Sequence, residues 1–417
     1  MKESRTLEFK ETPTNSFLKT VSAFANYDGG SIVFGVNDDG DVVGLDDPRE
    51  ACLSIENKIN DSISPQPAYS LAIDDKTRTV TLIVHAGSNT PYLYRAKAYR
   101  RNDTATIEVD SLQMRRLVLR GQNLTFDATP SNAKDLTFGA LAEALKSQVG
   151  IEDFDNDVLR SLNLYSNEDG YNVAAELLAD TNGFPGIDIA RFGESINVIN
   201  KRLTLEGMSV LTAYERAVET YADYYQYETI DGAYRTKVEA IPEAAFREAV
   251  ANAIARRTWD VRAHIRVAMF EDRIEVTSPG GLPEGITKQE YLAGRVSVLR
   301  NPILAGVLFR LNIIEAFGTA IPRIMSAYEK SLRKPTFEVS DNAVSVVLPL
   351  FETDLGLSPD EREVYARLSR VAPKPISQIA DAMSFGRSKT AALLKDMASR
   401  GLVIVEGTGR GTRYRLP

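Results

Sequence analysis

The chain has 417 residues, of which 43% are hydrophobic and 25% charged, a composition typical of globular proteins with several domains. It contains no run of the roughly 18 apolar residues that a membrane span needs and no apolar N-terminal stretch like a signal peptide, so we expect a cytoplasmic protein without a membrane partner. The net charge of −8 argues against a protein that coats nucleic acid over its whole surface, and one cysteine with two histidines makes an internal disulfide or a zinc cluster untenable.

Residues 1–120 are predicted to form an α/β domain. A helical pattern over residues 16–26 leads into an apolar strand at 31–36, and further strands are predicted at 79–85 and 97–101. The paired glycines between the helix and the first apolar strand fit a tight turn, because glycine adopts backbone conformations that other residues avoid.

The segments ESRTLEFK (3–10) and VSAFANYDGGSIVFGVNDDG (21–40) resemble the Schlafen AlbA-like domain, and AYRRN (98–102) resembles its closing strand. The resemblance implies nucleic-acid binding. Animal Schlafens that cut RNA use three carboxylates of these motifs, which match Glu3, Glu8 and Asp38 here, and such clusters can hold a divalent cation that activates water. Non-catalytic binding is the favoured interpretation, and ordinary strand and turn positions would also explain the three carboxylates.

Basic side chains of this domain are candidates for phosphate contact, although a solvated protein surface also carries such residues. The candidates are Lys10, Lys19, Arg95, Lys97, Arg100 and Arg101.

A polar stretch at 121–135 predicts a linker, and residues from Leu136 to about Lys237 are predicted to be mainly helical. The pattern then changes to a helix, two strands and a Gly/Pro loop, predicted at 242–255, 264–270, 273–277 and 278–283.

The segments IPEAAFREAVANAIARRTWD, FEDRIEVTSPGGLPEGIT and RNPILAGVLFRLNIIEAFGTAIPRI resemble the C-terminal region of RecG-related transcriptional regulators, a divergent relative of the histidine kinase and gyrase (GHKL) ATPase fold. In working ATPases of that fold, a glutamate and an asparagine four residues apart on one helix face position water and magnesium; Glu248 and Asn252 match them. Loop residues that could contact a nucleotide are Gly280, Gly281, Gly318 and Thr319.

Three departures from the active pattern bear on this prediction. The loop 278–283 lacks the adenine-binding aspartate, Arg256-Arg257-Thr258 replaces a His-Arg-Asp motif, and Ala320 ends what is usually a Gly-Thr-Gly motif. No cofactor is therefore firmly indicated. ATP with Mg²⁺ is the candidate, and a structural or sensory use of the fold is the favoured alternative.

The C-terminal residues 356–417 are predicted to form a winged helix. Residues 358–417 hold 11 Lys/Arg against 6 Asp/Glu, a net of +5, whereas the other 357 residues hold 38 against 51, a net of −13. Helices predicted at 358–370, 376–383 and 387–399 precede strands at 402–405 and 412–416 that flank a glycine-rich tip.

The segment RSKTAALLKDMASRGLV (387–403) resembles the winged helices of bacterial transcriptional regulators. The start of the third helix would enter the major groove, and arginines of the hairpin would reach phosphates. The residues concerned are Arg387, Ser388, Lys389, Thr390, Arg410, Arg413 and Arg415. Some winged helices serve only as protein-binding or dimerisation modules, which is the alternative.

The sequence as a whole predicts a multidomain α/β (α+β) protein. It comprises an AlbA-like domain (1–120), a linker (121–135), a helical segment with a GHKL-like α/β sandwich (136–355) and a winged helix (356–417). The predicted function is a DNA-binding transcriptional regulator that acts on double-stranded DNA, with RNA as the alternative partner, and that forms a homodimer. The rival functions are a metal-dependent ribonuclease of Schlafen type and an ATP-binding regulatory switch.

Overall fold

The computed structural model describes residues 2–231, 234–283, 285–294, 298–315, 319–352 and 357–417, without the side chains of Asp231, Thr236 and Arg410. Two of the predicted site residues, Gly318 and the side chain of Arg410, lie outside this description. The chain divides into one unit that ends at Thr125 and a second from Phe126 to Pro417. Among the described residues, no helix is both long and apolar enough to cross a bilayer.

The first unit is an α/β domain. Its elements are β1 (Leu7–Lys10), α1 (Phe17–Asn26), β2 (Gly30–Phe34), α2 (Pro48–Ser62), β3 (Ile63–Ser64), β4 (Tyr69–Asp74), β5 (Thr79–Val84), β6 (Leu93–Tyr94), β7 (Tyr99–Asn102), β8 (Ala105–Glu108) and α3 (Ser111–Gly121). A four-stranded sheet has the order β1-β2-β5-β4, with β1 and β2 parallel and the other neighbours antiparallel. The β7–β8 hairpin lies beside α1.

Helix α1 forms the centre of this domain because nine of its ten residues are buried. Phe17 packs edge-on against Phe34 of β2, with ring centroids 5.2 Å apart. Gly30 has to be a glycine, since a Cβ there would lie 2.6 Å from the ring of Phe24. The predicted helix and strand are thus confirmed, and so is the turn between them, because Gly29 has a φ of +73° while close packing accounts for Gly30.

The second unit is larger. Its elements up to residue 352 are α4 (Gly139–Val149), α5 (Asn156–Ser161), β9 (Tyr165–Ser166), β10 (Gly170–Tyr171), α6 (Val173–Leu178), β11 (Ile187–Phe192), β12 (Ile199–Leu205), α7 (Val210–Tyr225), β13 (Gln226–Asp231), β14 (Tyr234–Glu239), α8 (Glu243–Arg256), β15 (Ile265–Met269), β16 (Arg273–Pro279), α9 (Lys288–Leu292), α10 (Pro302–Arg310), α11 (Ala320–Ala327), β17 (Thr336–Val339) and β18 (Ala343–Pro349). A six-stranded sheet has the order β12-β11-β15-β16-β18-β17, and α8 packs on it between α7 and α11.

Two predictions for this region need correction. The segment 136–237 is not mainly helical, because β11 and β12 form one edge of the six-stranded sheet and β13 and β14 form a hairpin. The segment 121–135 was expected to be a linker, but from Phe126 onward it packs into the second unit. Its Asp127 is fully buried and accepts hydrogen bonds from the backbone N–H groups of Ile303 and Leu304, at 2.9 and 3.0 Å.

The C-terminal elements are α12 (Pro359–Arg367), β19 (Lys374–Pro375), α13 (Ile376–Ala380), α14 (Arg387–Ser399), β20 (Ile404–Glu406) and β21 (Arg413–Arg415). Helix α12 begins with a capping box in which Ser358 and Glu361 bond to each other's backbone N–H groups. The three strands pair in the order β19-β21-β20. Buried Ile379 of α13 packs with Leu394 and Met397 of α14, as the apolar pattern predicts.

A buried ion-pair cluster joins these C-terminal elements to the end of β18. The Glu352 carboxylate is 3.5 Å from Arg333 and from Arg370. Arg333 also donates a hydrogen bond of 2.7 Å to the carbonyl of Leu368 at the end of α12. The charges of the cluster therefore hold the C-terminal elements against the body of the second unit.

Candidate functional site

The first turn of α14 and the adjacent hairpin form the candidate nucleic-acid interface. Arg387 and Ser388 are exposed at the start of α14, and Arg413 is exposed on β21. Within the described part of the chain, neither Arg387 nor Arg413 has a side-chain hydrogen bond or an ion pair. Both guanidinium groups are therefore available to an anionic partner.

Two other predicted cations of this interface already have partners. Lys389 forms an ion pair with Asp360 of α12 at 2.5 Å, and its ammonium group lies 4.7 Å from the centre of the Phe385 ring. Arg415 is half-buried and pairs with Glu406 across the hairpin. The positive charge that remains unpaired is therefore smaller than the sequence count indicates.

The structure contradicts the prediction that Thr390 belongs to this interface. The side chain is fully buried and its hydroxyl donates to the carbonyl of Gly386 at 3.3 Å. It lies one helical turn before the buried Leu394, so it faces the core of the C-terminal elements and not the solvent. Thr390 cannot contact a base without rearrangement of α14.

The Glu8 carboxylate, on β1, is the centre of a buried polar cluster in the first unit. It accepts hydrogen bonds from the Arg101 guanidinium and, at 2.8 Å, from the Thr20 hydroxyl, and it forms an ion pair with Lys10 at 2.8 Å. Arg101 also donates to the hydroxyl of Thr106 on β8. These contacts tie β1, α1 and the β7–β8 hairpin together.

The structure does not gather the three predicted carboxylates into a cation site. Glu3 accepts a hydrogen bond from the backbone N–H of Phe9 at 2.8 Å, and Asp38 is exposed in a turn after β2. In the described part of the chain, no group of three or more His, Cys, Asp or Glu side chains could hold a metal ion. The oxygens of Glu8 are meanwhile engaged by protein cations.

The predicted basic residues of the first unit differ in their availability. Lys19 and Arg95 are exposed and lie over the rings of Tyr99 and Tyr94. Arg101 is 9% exposed and Lys10 is half-buried, and both pair with Glu8, so neither lies on an open surface. Arg100 is half-buried and lines a cavity, described below.

A cavity of about 460 Å³ lies between α8, the sheet and the loop after β16. Asn252 of α8 contacts it, and the Asn252 amide donates to both the carboxylate and the carbonyl of Glu248 at 2.7 Å. Burial raises the pKa of Glu248, and Arg323 of α11 lies 3.6 Å from its carboxylate. The predicted i, i+4 pair is thus adjacent in space, and Asn252 faces this cavity.

The glycines after β16 are required by protein packing. A Cβ on Gly280 would lie 1.8 Å from the hydroxyl of Thr258, and one on Gly281 would lie 2.4 Å from the carbonyl of Asp341. Arg300 also donates a hydrogen bond of 2.8 Å to the Gly281 carbonyl. The loop is therefore filled by the protein's own atoms and does not form an open cradle for phosphates.

Most of the cavity wall is apolar, and the described residues that line it include no carboxylate. Ser278 stands at the loop position where active relatives carry the adenine-binding aspartate, and its hydroxyl donates to the Ala253 carbonyl. Arg256 lies over the ring of Tyr291 at 5.3 Å, and the sequence analysis did not assign either residue to the cavity. The wall is thus mainly apolar, and Arg256 adds a positive charge to it.

Comparisons with known proteins match one segment in each of the two units. Residues 3–110 match the family model "Schlafen, AlbA_2", and residues 262–348 match the model described as "Putative ATP-dependent DNA helicase recG C-terminal". The chain thus contains an AlbA_2-like domain and a RecG C-terminal-like domain. The second match begins after α8, so it does not include Glu248 and Asn252. Both resemblances are confirmed and associate the protein with nucleic acids.

Solved structures give a whole-chain comparison. The DIP2311 protein from Corynebacterium diphtheriae is 20% identical, with 99% of this chain and 92% of that chain covered and a TM-score of 0.51, which shows a shared fold. The N-terminal domain of a RecG-related protein from Nitrosomonas europaea is 23% identical over 27% of this chain and 84% of that chain, with a TM-score of 0.20. No curated protein matches the chain.

Proposed function

We propose that this protein is a DNA-binding transcriptional regulator and that residues 357–417 form a winged helix that binds double-stranded DNA. The observation that carries the proposal is the exposed start of α14, where Arg387 has no partner among the described residues. The start of such a helix contacts base edges in the major groove, and arginine pairs with guanine there. Arg413 of the hairpin supplies a phosphate contact.

The test measures duplex DNA binding by the full-length protein. Selection from random DNA and RNA pools first identifies the bound sequence, and fluorescence anisotropy then compares Arg387→Ala with Lys395→Ala. Lys395 is also exposed on α14 but lies eight residues further along, about 12 Å toward its end.

We expect Arg387→Ala to weaken binding of the selected duplex by about 5- to 150-fold, which corresponds to a loss of about 1–3 kcal/mol for a base contact. Lys395→Ala should change the affinity by less than about threefold, the effect of a surface charge. Equal affinities of the wild type and Arg387→Ala would contradict the proposed interface, and enrichment of RNA alone would contradict the proposed partner.

A homodimer is part of this proposal, because one winged helix contacts few base pairs and two copies on paired half-sites increase specificity. Light scattering on the full chain measures the mass directly. A mass of 46.0 kDa without the duplex, together with the mass of one chain plus one duplex when it is bound, would contradict dimerisation.

An ATP-binding regulatory role is the second candidate, and the adjacency of Glu248 and Asn252 beside the apolar cavity favours it. The apolar wall would take the base, and the Asn252 side chain would lie beside the nucleotide. Titration of ATP with Mg²⁺ to millimolar concentration, with Asn252→Ala as the control, tests this role. Equal binding signals from the wild type and Asn252→Ala would exclude this cavity as the ATP-binding site.

A further inference from the structure

The first unit also contains a cavity, of about 420 Å³. The Glu8 carboxylate is not among its lining residues. The cavity lies between the C-terminal end of α1, the segment before β1, strand β7 and the first turn of α3. Its lining residues are Arg5, Ala23, Phe24, Tyr27, Asp28, Gly29, Arg100, Arg101 and Gln113. Three arginines and one aspartate give this lining a net charge of +2.

Two of these arginines have a buried N–H donor for which the described part of the chain provides no acceptor. The Nε atoms of Arg100 and Arg101 are both buried without a hydrogen-bond partner. The Arg101 side chain is only 4% exposed, while its terminal nitrogens are held by Glu8 and by the Ser4 carbonyl. Arg100 forms no ion pair or side-chain hydrogen bond within the described residues. A buried donor without an acceptor costs about 1–3 kcal/mol, more when it is charged. The terminal nitrogens of Arg100 also have no partner among the described residues but are not buried, so they are the donors that a ligand can reach.

The charges in the cavity favour an anionic ligand. Asp28 of the lining engages Arg5 at 2.7 Å, and Glu8 engages Arg101, so Arg100 carries the charge that has no counter-charge among the described residues. A phosphate group offers more acceptor oxygens than a carboxylate to the donors around it. Arginine guanidinium groups bind phosphate through paired N–H donors, and the Gln113 side-chain amide can add another.

We propose that this cavity binds a phosphate group, with Arg100 as the main contact and Arg5 and Gln113 beside it. The group can come from free phosphate or from the phosphorylated end of a nucleic-acid strand. The site does not depend on the proposed DNA interface of α14, because it belongs to the other unit of the chain.

Isothermal titration calorimetry on the full-length protein tests the site with inorganic phosphate as the probe. The variant is Arg100→Met, which keeps the aliphatic stem and removes the donors. The matched control is Arg49→Met, since Arg49 is exposed on α2 and does not line the cavity. Thermal unfolding of the three proteins shows whether each variant folds; Arg100→Met should unfold no earlier than the wild type, because no protein partner is lost.

We expect one phosphate per chain, with binding weakened about 10- to 100-fold by Arg100→Met, as for the loss of a charged hydrogen bond, and changed less than about threefold by Arg49→Met. Absence of saturable binding, or equal binding by Arg100→Met and the wild type, would overturn the proposal. Acetate binding as tightly as phosphate would overturn the assignment to a phosphate group.

A second arm identifies the source of the phosphate. Single-stranded oligonucleotides with a 5′-phosphate or a 5′-hydroxyl group are compared on the wild type and on Arg100→Met. Tighter binding of the phosphorylated strand that disappears in Arg100→Met supports a strand end as the ligand. Phosphate binding without that difference supports free phosphate in the same site. Neither result depends on Arg387, so the phosphate site and the duplex interface can fail separately.

Discussion

Replacement of Asp127 tests whether the segment predicted as a linker holds the second unit together. Helix α10 begins at Pro302, and its preceding residue, Asn301, does not cap it because the Asn301 amide donates to the carbonyls of Ala255 and Arg257. Asp127, which lies about 175 residues earlier in the chain, caps α10 instead. One of its carboxylate oxygens accepts from two backbone N–H groups at the start of α10.

The expected effect of Asp127→Ala follows from these two bonds. Removal of a helix cap costs about 0.5–2 kcal/mol, and a negative charge at a helix N-terminus contributes up to about 2 kcal/mol when it is buried. We therefore expect a loss of about 3 kcal/mol in the free energy of unfolding, or about 5 °C in Tm for a unit that extends from Phe126 to Pro417. Asp127→Asn keeps an acceptor and loses only the charge, so it should cost about 1 kcal/mol.

Urea unfolding followed by fluorescence measures this effect, because the chain has a single tryptophan, Trp259, and it is buried in the second unit. The control is Asp135→Ala, since Asp135 lies in the same segment but is exposed, and it should stay within about 0.5 kcal/mol of the wild type. If Asp127→Ala unfolds at the same urea concentration as Asp135→Ala, the segment does not anchor α10 in the way described.

Three further predictions concern charged groups. Burial raises the pKa of Glu248 in the folded protein. The ionised carboxylate therefore destabilises the fold as the pH rises above the unfolded-state pKa of about 4.3. In urea unfolding, Glu248→Gln should be more stable than the wild type at pH 7 and equally stable below about pH 4. Asp360→Asn frees Lys389 from its ion pair. The affinity for the duplex, measured by fluorescence anisotropy, should therefore rise by about two- to fivefold at low salt and by less at high salt. An unchanged affinity would show that Lys389 does not contact the DNA. Glu352→Gln leaves the charge of Arg333, which is 13% exposed, without its carboxylate, so unfolding should require about 3 kcal/mol less, and a loss under about 0.5 kcal/mol would show that the cluster does not fasten the C-terminal elements.

Local sequence patterns were sufficient where the structure is decided by neighbouring residues. Helix α8 was predicted at 242–255 and extends over Glu243–Arg256, and the strand pair β15 and β16 lies where the alternating apolar residues indicate. The three C-terminal helices begin at or within one residue of their predicted starts, because proline, capping serine and glycine mark them. The pairing of Glu248 with Asn252 also follows from helix geometry alone.

Strands β11 and β12 were missed because few of their residues show the alternation of a half-buried strand. Only Ile187, Ile189 and Leu205 among their residues are buried apolar side chains, and β12 forms the sheet edge, where exposed positions hide the alternation. Strand β12 pairs with β11, and β11 also pairs with β15, which lies more than 70 residues further along the chain. No local window contains β15.

The sequence by itself determined the two domain resemblances, the basic C-terminal segment and the starts of α1, α8, α12, α13 and α14, since each depends on residue type and short-range spacing. Tertiary structure decided which charges are available to a ligand. Lys389 is neutralised by Asp360, Glu8 is enclosed by protein cations, and Arg100 lines a cavity without a partner among the described residues. Charge pairing and burial depend on residues that are distant in the chain, so composition and periodicity do not specify them.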